Sequence, residues 1–247
     1  NETNLIRILD LFKNYDYMEI VNKLDSIIEK YNLSNTYKNG YKFYGENSSS
    51  GLGKYNKPYY LKLRNDYNHM KDSSERDFMF LTLVIYAFNH QIRFNNNGEY
   101  NMPVGKRDFN SSIRKNLLEF CRKLVVKNIS FVNEDYKKFK LDSLTSNDFC
   151  YFDPPYYLGD ASYNENDGWN ENKEKELLEY LNEVDKHGIR FALSNVTEHK
   201  GLKNEMLINW AIENQYNIHN LNYNYSNSNY HLKNKNQVTK EVLITNY

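Results

Sequence analysis

The carboxyl-terminal half of the chain alternates short apolar runs with amphipathic helices. Runs of four or five apolar residues between helices are typical of strands in a sheet that helices cover. The pattern therefore predicts an α/β fold with a mainly parallel sheet. The apolar runs cover residues 129–132, 149–152, 189–193, 218–221 and 242–245, and the helical segments cover residues 171–184, a charged and solvated outer helix, and 203–213.

The amino-terminal half has helical periodicity throughout. Apolar residues recur at helical spacing over residues 5–31, with an interruption near residues 14–17, which predicts two helices. Residues 45–57 are rich in Gly, Ser and Asn, and we expect a mobile loop or a tip that reaches a partner. Residues 89–110, polar and broken by glycine and proline, predict a hairpin or an extended flap outside the core. Further helices are predicted at residues 59–70, 77–88 and 112–124.

The composition bounds the class of protein. With 247 residues, 40% of them hydrophobic, the chain can form one sizeable core with an inserted lobe. Basic and acidic residues number 32 each, so the formal net charge is zero, whereas many nucleic-acid-binding proteins are basic. No apolar run approaches the roughly 18 residues that span a bilayer, and no secretion signal opens the chain. We therefore expect a cytoplasmic protein without membrane contact.

Cysteine and histidine give no sign of a metal site. Cys121 and Cys150 do not form a pair with metal-ligand spacing, so two free thiols are expected. The six histidines follow no metal-ligand pattern either. We predict no bound metal.

The apolar run at 149–152 ends directly in the turn Asp153, Pro154, Pro155, Tyr156. Open α/β sheets bind ligands at the carboxyl ends of their strands, so the turn lies where a ligand site is expected. Proline has no N–H to donate to a neighbouring strand, and its φ angle is fixed. Two successive prolines therefore end the strand and stiffen the turn, and the carbonyl oxygens of the turn remain available as acceptors.

The turn suits methylation of an exocyclic amine such as adenine N6. The lone pair of that amine is delocalised into the ring, and two acceptors for its hydrogens would direct the lone pair toward an electrophilic methyl group. The Asp153 carboxylate and the Pro154 carbonyl can accept those hydrogens, and the Tyr156 ring can stack on a base taken out of a duplex. The alternative is a rigid turn in which Asp153 caps the next element and Tyr156 packs on the surface. Residues 158–169 predict a lid over the target base or an ordinary loop.

Taken with this turn, the chain resembles the Dam-type (D12 class) DNA adenine-N6 methyltransferases, whose signature is Asp-Pro-Pro-Tyr after a strand. Four further stretches agree with the family in order. They are the Arg-aromatic-Asn, Gly-Glu-aromatic-Asn, Pro and Gly-basic residues of 93–106, the acidic-aromatic turn at 133–136, the Ser-Asn strand end at 193–195 and the last strand at 241–247. Together they span residues 89–247.

The resemblance implies a class I S-adenosylmethionine-dependent methyltransferase (Rossmann-like) sheet with an inserted, mostly helical target-recognition lobe. Residues 1–35 and 116–247 would form the catalytic domain, and residues 36–115 would form the DNA target-recognition lobe. The implied activity is site-specific methyl transfer from S-adenosylmethionine to a flipped adenine in double-stranded DNA, in restriction-modification or Dam-like methylation. A monomer is expected, and a cognate restriction endonuclease is left open as a functional partner.

The resemblance also implies roles for individual residues. Each residue implied to bind DNA could instead hold an ordinary position in a solvated loop, and Phe94 would either wedge into the duplex or pack. For residues 135–136 the alternative is a strand-end cap and a core ring. The implied catalytic residues are Asp153, Pro154, Pro155 and Tyr156; the cofactor-binding residues are Glu2, Asp135, Tyr136 and Asp153; and the DNA-binding residues are Arg93, Phe94, Asn95, Asn97, Lys106 and Arg107.

One part of the family pattern has no counterpart in the chain. The family's amino-terminal Lys-containing segment and its Phe-x-Gly-Gly-type turn, which cradle the methionine part of the cofactor, are absent. Residues 1–4 resemble the next feature, an Asn-Asp-x-Asn-like stretch, which makes Glu2 the candidate ribose ligand; a helix N-cap is the alternative. We therefore expect some tens of residues before Asn1, carrying the first strand, and poor cofactor binding without them.

Two other functions fit the same sequence. A methyltransferase of structured RNA or of a free nucleobase can use the same turn, although the insertion between residues 40 and 115 is large enough to grip a duplex. A non-catalytic DNA-binding homologue would keep the lobe and lack cofactor binding. Competition between DNA and RNA substrates separates the first from a DNA enzyme, and cofactor titration separates the second.

Overall fold

A computed structural model describes residues 3–47, 49–158, 168–221 and 239–247 of the chain. The residues fall into two compact units, Asn1–Glu134 and Asp135–Tyr247. The first unit is mainly helical and the second contains a sheet, so the chain has a mixed α/β architecture. None of the helices within the described ranges is long and apolar enough to cross a membrane.

The first unit is built from six α-helices in the part of it that is described. The predicted break between the first two is confirmed, and it has a local cause. Asp16 accepts a hydrogen bond from the backbone N–H of Glu19 at 2.8 Å, and the Glu19 carboxylate accepts one from the backbone N–H of Asp16 at 2.8 Å. This reciprocal capping starts the second helix. The helices are α1 (Thr3–Asn14), α2 (Tyr17–Lys30), α3 (Thr36–Asn39), α4 (Gly53–His69), α5 (Ser74–Tyr86) and α6 (Ser111–Val126).

Helix α5, which contains most of the helix predicted at residues 77–88, forms the centre of the first unit. Helices α1, α2 and α4 all pack against it. A helix that is apolar on every side is typical of a core position, because no face has to meet water. Its buried residues are Phe78, Met79, Phe80, Leu81, Thr82, Leu83, Ile85 and Tyr86.

Two loop predictions in the first unit need correction. Residues 53–57 are the first turns of α4, because the side chain of Asn56 is fully buried there and exchanges hydrogen bonds with Ser34 at 2.8 and 2.9 Å. The segment at 89–110 does contain a hairpin, in which Phe94 bridges Tyr100. It does not lie outside the core, because Tyr100, Met102 and Phe109 are buried in it; one face of a hairpin can pack while the other meets solvent.

The second unit contains a sheet with the strand order β1-β2-β5-β4, and β3 pairs with the far end of β2. Helices α7 and α8 both pack against β2. The strands are β1 (Phe149–Phe152), β2 (Arg190–His199), β3 (Leu202–Lys203), β4 (Asn217–Leu221) and β5 (Thr239–Thr245), and the helices are α7 (Glu171–Lys186) and α8 (Glu205–Glu213).

The prediction of a mainly parallel sheet was wrong, because the sheet is mixed. Among the described strands, only β1 and β2 pair in parallel, while β5 lies between β2 and β4 and runs antiparallel to both. Short apolar runs look alike in either direction, so the sequence pattern does not specify how strands are oriented. The strand predicted at 129–132 is also wrong, since those residues are irregular and a strand forms only where a neighbour offers hydrogen bonds.

Helix α7 is amphipathic. Over residues 171–184 its charged residues other than Glu174 are exposed, as predicted. One face of it is buried against β2 and α8, in a core that includes Phe191, Leu193 and Trp210. The residues of this buried face are Glu174, Leu177, Leu178, Leu181 and Val184.

Both cysteines are free thiols, as predicted.

Candidate active site

The Asp-Pro-Pro-Tyr turn begins where β1 ends. The last pair of the parallel ladder joins Phe152 to Leu193, so Asp153 lies at the carboxyl end of β1, level with Ser194 of β2. Asp153 is exposed, and Pro154 and Pro155 are half-buried. The two prolines end the ladder because they have no N–H to donate. The position is the one that the sequence predicted for a ligand-binding turn.

The hydroxyl of Tyr156 ties the turn to β2. It donates a hydrogen bond to the Asp153 carboxylate at 3.3 Å and lies 2.9 Å from the Ser194 hydroxyl. Burial raises the pKa of Tyr156 above its ordinary value. The phenol therefore keeps its proton and can donate a hydrogen bond to the carboxylate. The ring and the carboxylate are therefore held in a fixed relation to each other.

Beside Ser194, the next residue of β2 reaches a buried carboxylate. Asn195 donates from its side-chain amide to Glu174 of α7 at 3.0 Å, and Asn204, which caps α8, donates to the same carboxylate at 3.1 Å. The indole N–H of Trp169 donates to its second oxygen. Glu174 is fully buried, and this burial raises its pKa, against the lowering effect of the three hydrogen bonds. Through these three hydrogen bonds, Glu174 connects α7 to β2, to the start of α8 and to Trp169.

The predicted cofactor residues at 135–136 are partly engaged within the protein. The Asp135 carboxylate accepts a hydrogen bond from the backbone N–H of Lys137 at 3.0 Å, so it caps a short turn of 3₁₀ helix. The half-buried ring of Tyr136 meets Tyr180 at 5.1 Å, and Tyr180 in turn meets Phe152 at 6.2 Å. Tyr136 and the end of β1 are thus separated by a single aromatic ring. Glu2, the predicted ribose ligand, and residues 159–167 of the predicted lid lie outside the described residues.

In the first unit, three of the predicted DNA-binding residues lie on the first arm of the hairpin. Arg93 is exposed and donates to the side chain and backbone of Asn101 at 2.8 and 3.2 Å. Phe94 is half-buried and packs on Phe80 and Tyr100. Asn95 shapes the turn, because its side-chain oxygen accepts hydrogen bonds from two backbone N–H groups. Phe94 and Asn95 therefore have structural contacts whatever else they bind.

The other three predicted DNA-binding residues, Asn97, Lys106 and Arg107, are exposed. Asn97 lies in the hairpin turn. The backbone of Lys106 is fixed, because its carbonyl accepts a hydrogen bond from Leu52 at 3.0 Å. The next residue but one, Asp108, is fully buried. Both basic side chains therefore extend from a rigid part of the chain.

Ser194, Asn195, Glu174 and Trp169 were not predicted as site residues. The sequence did carry a signal for Glu174, because it lies three residues before Leu177 on the apolar face of α7 and is the only charged residue on that face. A charged residue on a buried helix face is unusual and needs partners. Ser194 was noticed only as part of a matching strand end. No group of acidic, histidine or cysteine side chains that could hold a metal ion occurs among the residues that the structure describes.

Comparison with known proteins gives one family. The family described as D12 class N6 adenine-specific DNA methyltransferase matches residues 12–239. The match covers most of both units. It includes the Asp153 turn, the hairpin and strands β1 to β4, and it ends at the first residue of β5.

Individual relatives agree with the family. The chain is 36% identical over 251 residues to the type II methyltransferase M.FokI of Planomicrobium okeanokoites, which covers 99% of this chain and 35% of that protein. It is 37% identical over 203 residues to the modification methylase StsI of Streptococcus sanguinis, covering 80% of this chain and 30% of that protein. A DNA adenine methylase of Salmonella typhi is 33% identical over 100 residues, or 39% of this chain and 34% of that protein. The chain thus spans about a third of the length of these relatives.

Proposed function

Since the chain belongs to the D12 class N6 adenine-specific DNA methyltransferases, we propose that it methylates the N6 amine of an adenine in double-stranded DNA. The observation that carries the proposal is the fixed pairing of Asp153 and Tyr156 at the carboxyl end of β1. A carboxylate and an aromatic face at such a strand end suit a flat base with an exocyclic amine. We propose restriction-modification as the setting, because relatives are named as modification methylases.

In this proposal each residue of the turn has one task. Asp153 accepts a hydrogen bond from one amine hydrogen and the Pro154 carbonyl accepts one from the other, which directs the nitrogen lone pair away from the ring plane. Asp153 is also placed to receive the proton that the methylated nitrogen loses. Tyr156 stacks on the base, and its bonds to Asp153 and Ser194 fix the ring before the base arrives. Such preorganisation lowers the cost of reaching the reactive geometry.

The methyl donor in the proposal is S-adenosylmethionine, which supplies, when bound, an electrophilic methyl group on a sulfonium that leaves as a neutral thioether. The side chains near the end of β1 fit this molecule. Asp135 and Asp153 are exposed carboxylates, suited to hydroxyl groups and to a positive charge, and the half-buried Tyr136 ring suits a purine. Glu2 remains the proposed ribose ligand.

The division of labour between parts of the chain is likewise a proposal. Residues 36–115 would recognise DNA through Arg93, Phe94, Asn95, Asn97, Lys106 and Arg107, and residues 1–35 and 116–247 would perform catalysis. Residues 3–30 share a hydrophobic core with α5 of the proposed lobe, so the two parts would fold together on that side. The proposed working form is a monomer in the cytoplasm, with a cognate restriction endonuclease acting on the same DNA.

The test is transfer of a labelled methyl group from S-adenosylmethionine to unmethylated DNA, followed by hydrolysis to nucleosides. We expect label in N6-methyladenine. Replacing Asp153 by alanine is expected to abolish transfer and to preserve most of the DNA affinity, because the carboxylate acts on the amine and not on phosphates. Asp142→Ala is the matched control, since the side chain of Asp142 is 95% exposed in the same unit.

Three results would contradict the proposal. Turnover by Asp153→Ala above about a tenth of the wild-type value would remove the proposed role of the carboxylate, because a group of this kind typically contributes a hundredfold or more. Label in RNA in preference to duplex DNA would favour an RNA enzyme. DNA binding without heat of cofactor binding in calorimetry would favour a non-catalytic DNA-binding protein.

A further inference from the structure

Three segments of the first unit meet around Asp108, which is fully buried. Its carboxylate accepts hydrogen bonds from the backbone N–H of Thr36 at 2.6 Å and from the Thr36 hydroxyl at 2.7 Å. The start of α3 is thereby attached to the residues that follow Arg107. The backbone N–H of Leu52 bonds to the Lys106 carbonyl, which attaches the start of α4 to the same place.

A close approach of backbones fixes the second of these attachments. Gly51 has a φ angle of +73°, and a Cβ atom added there would lie 2.6 Å from the Cβ atom of Lys106. Only glycine combines this conformation with this contact. The glycine-rich loop before α4 is therefore held directly against Lys106.

An aromatic row joins the first segment to the second. The ring of Tyr44 lies 4.6 Å from that of Tyr55 and 5.0 Å from that of Phe43, measured between ring centres. The Tyr44 hydroxyl also accepts hydrogen bonds from the backbone N–H of Asn35 and the side chain of Asn39, at 2.7 and 2.9 Å. Phe43 is the outer end of the row and remains 69% exposed.

A second exposed ring lies on α3. Tyr37 is 57% exposed, and the guanidinium of Arg114 lies 4.5 Å from the centre of its ring. Arg114 is itself buried and forms an ion pair with Asp25. Tyr37 and Phe43 are thus two large rings that ordered neighbours hold at the surface.

The same segments concentrate positive charge in a chain whose formal net charge is zero. Within residues 36–57 and 105–108 there are six basic residues and two acidic ones, Glu46 and Asp108. Asp108 is buried, and the Glu46 carboxylate accepts a hydrogen bond from the Ser50 hydroxyl at 2.7 Å. The basic residues, all exposed, are Lys38, Lys42, Lys54, Lys57, Lys106 and Arg107.

We propose that the exposed residues Tyr37, Lys38, Lys42, Phe43, Lys54 and Lys57, here called the lysine-aromatic face, form a DNA-contact surface continuous with Lys106 and Arg107. The lysines bind backbone phosphates of the duplex, and the ring of Phe43 packs against a deoxyribose beside them. Basic side chains interleaved with exposed rings suit the backbone of a duplex, since each nucleotide offers both a phosphate and an apolar face of its sugar. The inference rests on the proposed function, because it extends the DNA-binding lobe to residues that lie outside the hairpin.

The test measures binding of the full chain to a fluorescent 30-base-pair duplex by anisotropy, over a series of salt concentrations. The double variant Lys38→Gln/Lys42→Gln is compared with wild type, with Lys106→Gln, and with the matched control Lys23→Gln/Lys71→Gln, whose lysines are exposed elsewhere in the same unit. Each lost phosphate contact reduces the slope of log affinity against log salt by about 0.9. We expect a reduction of about 1.8 for the double variant and none for the control.

Phe43→Ala tests the aromatic part separately. We expect its affinity to fall about tenfold, as for loss of one buried aromatic side chain, with an unchanged salt slope. Lys54→Gln/Lys57→Gln provides an independent pair on α4 if the first pair disturbs α3, and it should also reduce the slope.

The outcomes separate this inference from the proposed function. If wild type binds duplex DNA and Lys106→Gln reduces the slope, but both lysine pairs of the face behave like the control, the lysine-aromatic face is overturned while the proposed function stands. Absence of salt-dependent duplex binding by wild type overturns both. Slope changes that appear with RNA and not with duplex DNA overturn the inference as stated.

Discussion

Replacing Glu174 by glutamine tests the buried hydrogen-bonded cluster at its centre. The carboxylate accepts hydrogen bonds from Trp169, Asn195 and Asn204, with both asparagine amides on one oxygen and the indole on the other. Glutamine keeps the shape of the side chain and replaces one oxygen with an NH₂ group. If its oxygen faces the two asparagines, the NH₂ group faces the indole N–H, and two donors meet without an acceptor between them.

The size of the effect follows from that mismatch. A donor left without an acceptor inside a protein costs about 1–3 kcal/mol, and the two remaining bonds weaken because a neutral oxygen replaces a carboxylate. Relief of the cost of burying a charge acts in the opposite direction. We therefore expect Glu174→Gln to lower the free energy of unfolding by about 1–3 kcal/mol, a large part of the roughly 5–15 kcal/mol that stabilises a typical domain.

The effect should also depend on pH. Burial raises the pKa of Glu174 above its usual value of 4.5. A carboxyl whose pKa is higher in the folded state stabilises that state fully below the unfolded pKa, and this stabilisation is lost as the pH rises through the folded pKa. Glutamine does not titrate. The stability difference between wild type and Glu174→Gln is therefore expected to be larger at pH 5 than at pH 8.

Urea unfolding followed by tryptophan fluorescence measures this directly. The chain has two tryptophans, Trp169 and Trp210, and both lie in the second unit, so the signal reports the unit that contains Glu174. Glu179→Gln is the matched control, since Glu179 is exposed on the same helix and its replacement should change stability by no more than about 0.5 kcal/mol. Equal free energies of unfolding for the two variants would contradict this reasoning. So would a loss of stability in Glu174→Gln that is the same at both pH values.

Two further predictions concern the first unit. Gly105→Ala places a Cβ atom 2.4 Å from the carbonyl oxygen of Ala87, so we expect a loss of about 1–3 kcal/mol in chemical unfolding; an unchanged midpoint would show that the two backbones can separate at little cost. Leu24→Ala removes a side chain that is fully buried and should cost about 2–5 kcal/mol, whereas Leu5→Ala, at a position that is 39% exposed, should cost far less. Equal losses for the two leucines would contradict the packing of α2 into the core.

The sequence predicted elements well where the signal was local. Helical periodicity located α1, α2 and α5, and the capping pair at the start of α2 can be found from Asp16 and Glu19 alone. The direction of β5 was not predictable in this way, because it depends on which strands lie beside it. One of its neighbours, β2, is separated from it in the chain by β3, α8 and β4. The start of α4 was missed for a related reason: the contact of Asn56 with Ser34 outweighs the loop-like local sequence.

The candidate site shows the same division. The turn at Asp153 has a local signature and follows a strand that the apolar run predicted, although the roles of its residues stay predictions. The partners of the turn were hidden, since Ser194 is 38 residues from Tyr156 in the chain and meets it only in the folded sheet. For Glu174 only part of the signal was local. Its position on an apolar helix face was visible, but the amides that stabilise it there were not.

Strand β2 places two neighbouring residues in two different environments. Consecutive side chains of a strand point to opposite faces, and here Ser194 reaches the Tyr156 hydroxyl while Asn195 reaches the carboxylate buried under α7. Insertion or deletion of a single residue before this pair would exchange the two faces. The Asp153 turn and the interior of the unit would then lose their partners in one event. Single-residue insertions and deletions in the loops around β2 leave this pairing intact, whereas the same changes within the strand before Ser194 disrupt it.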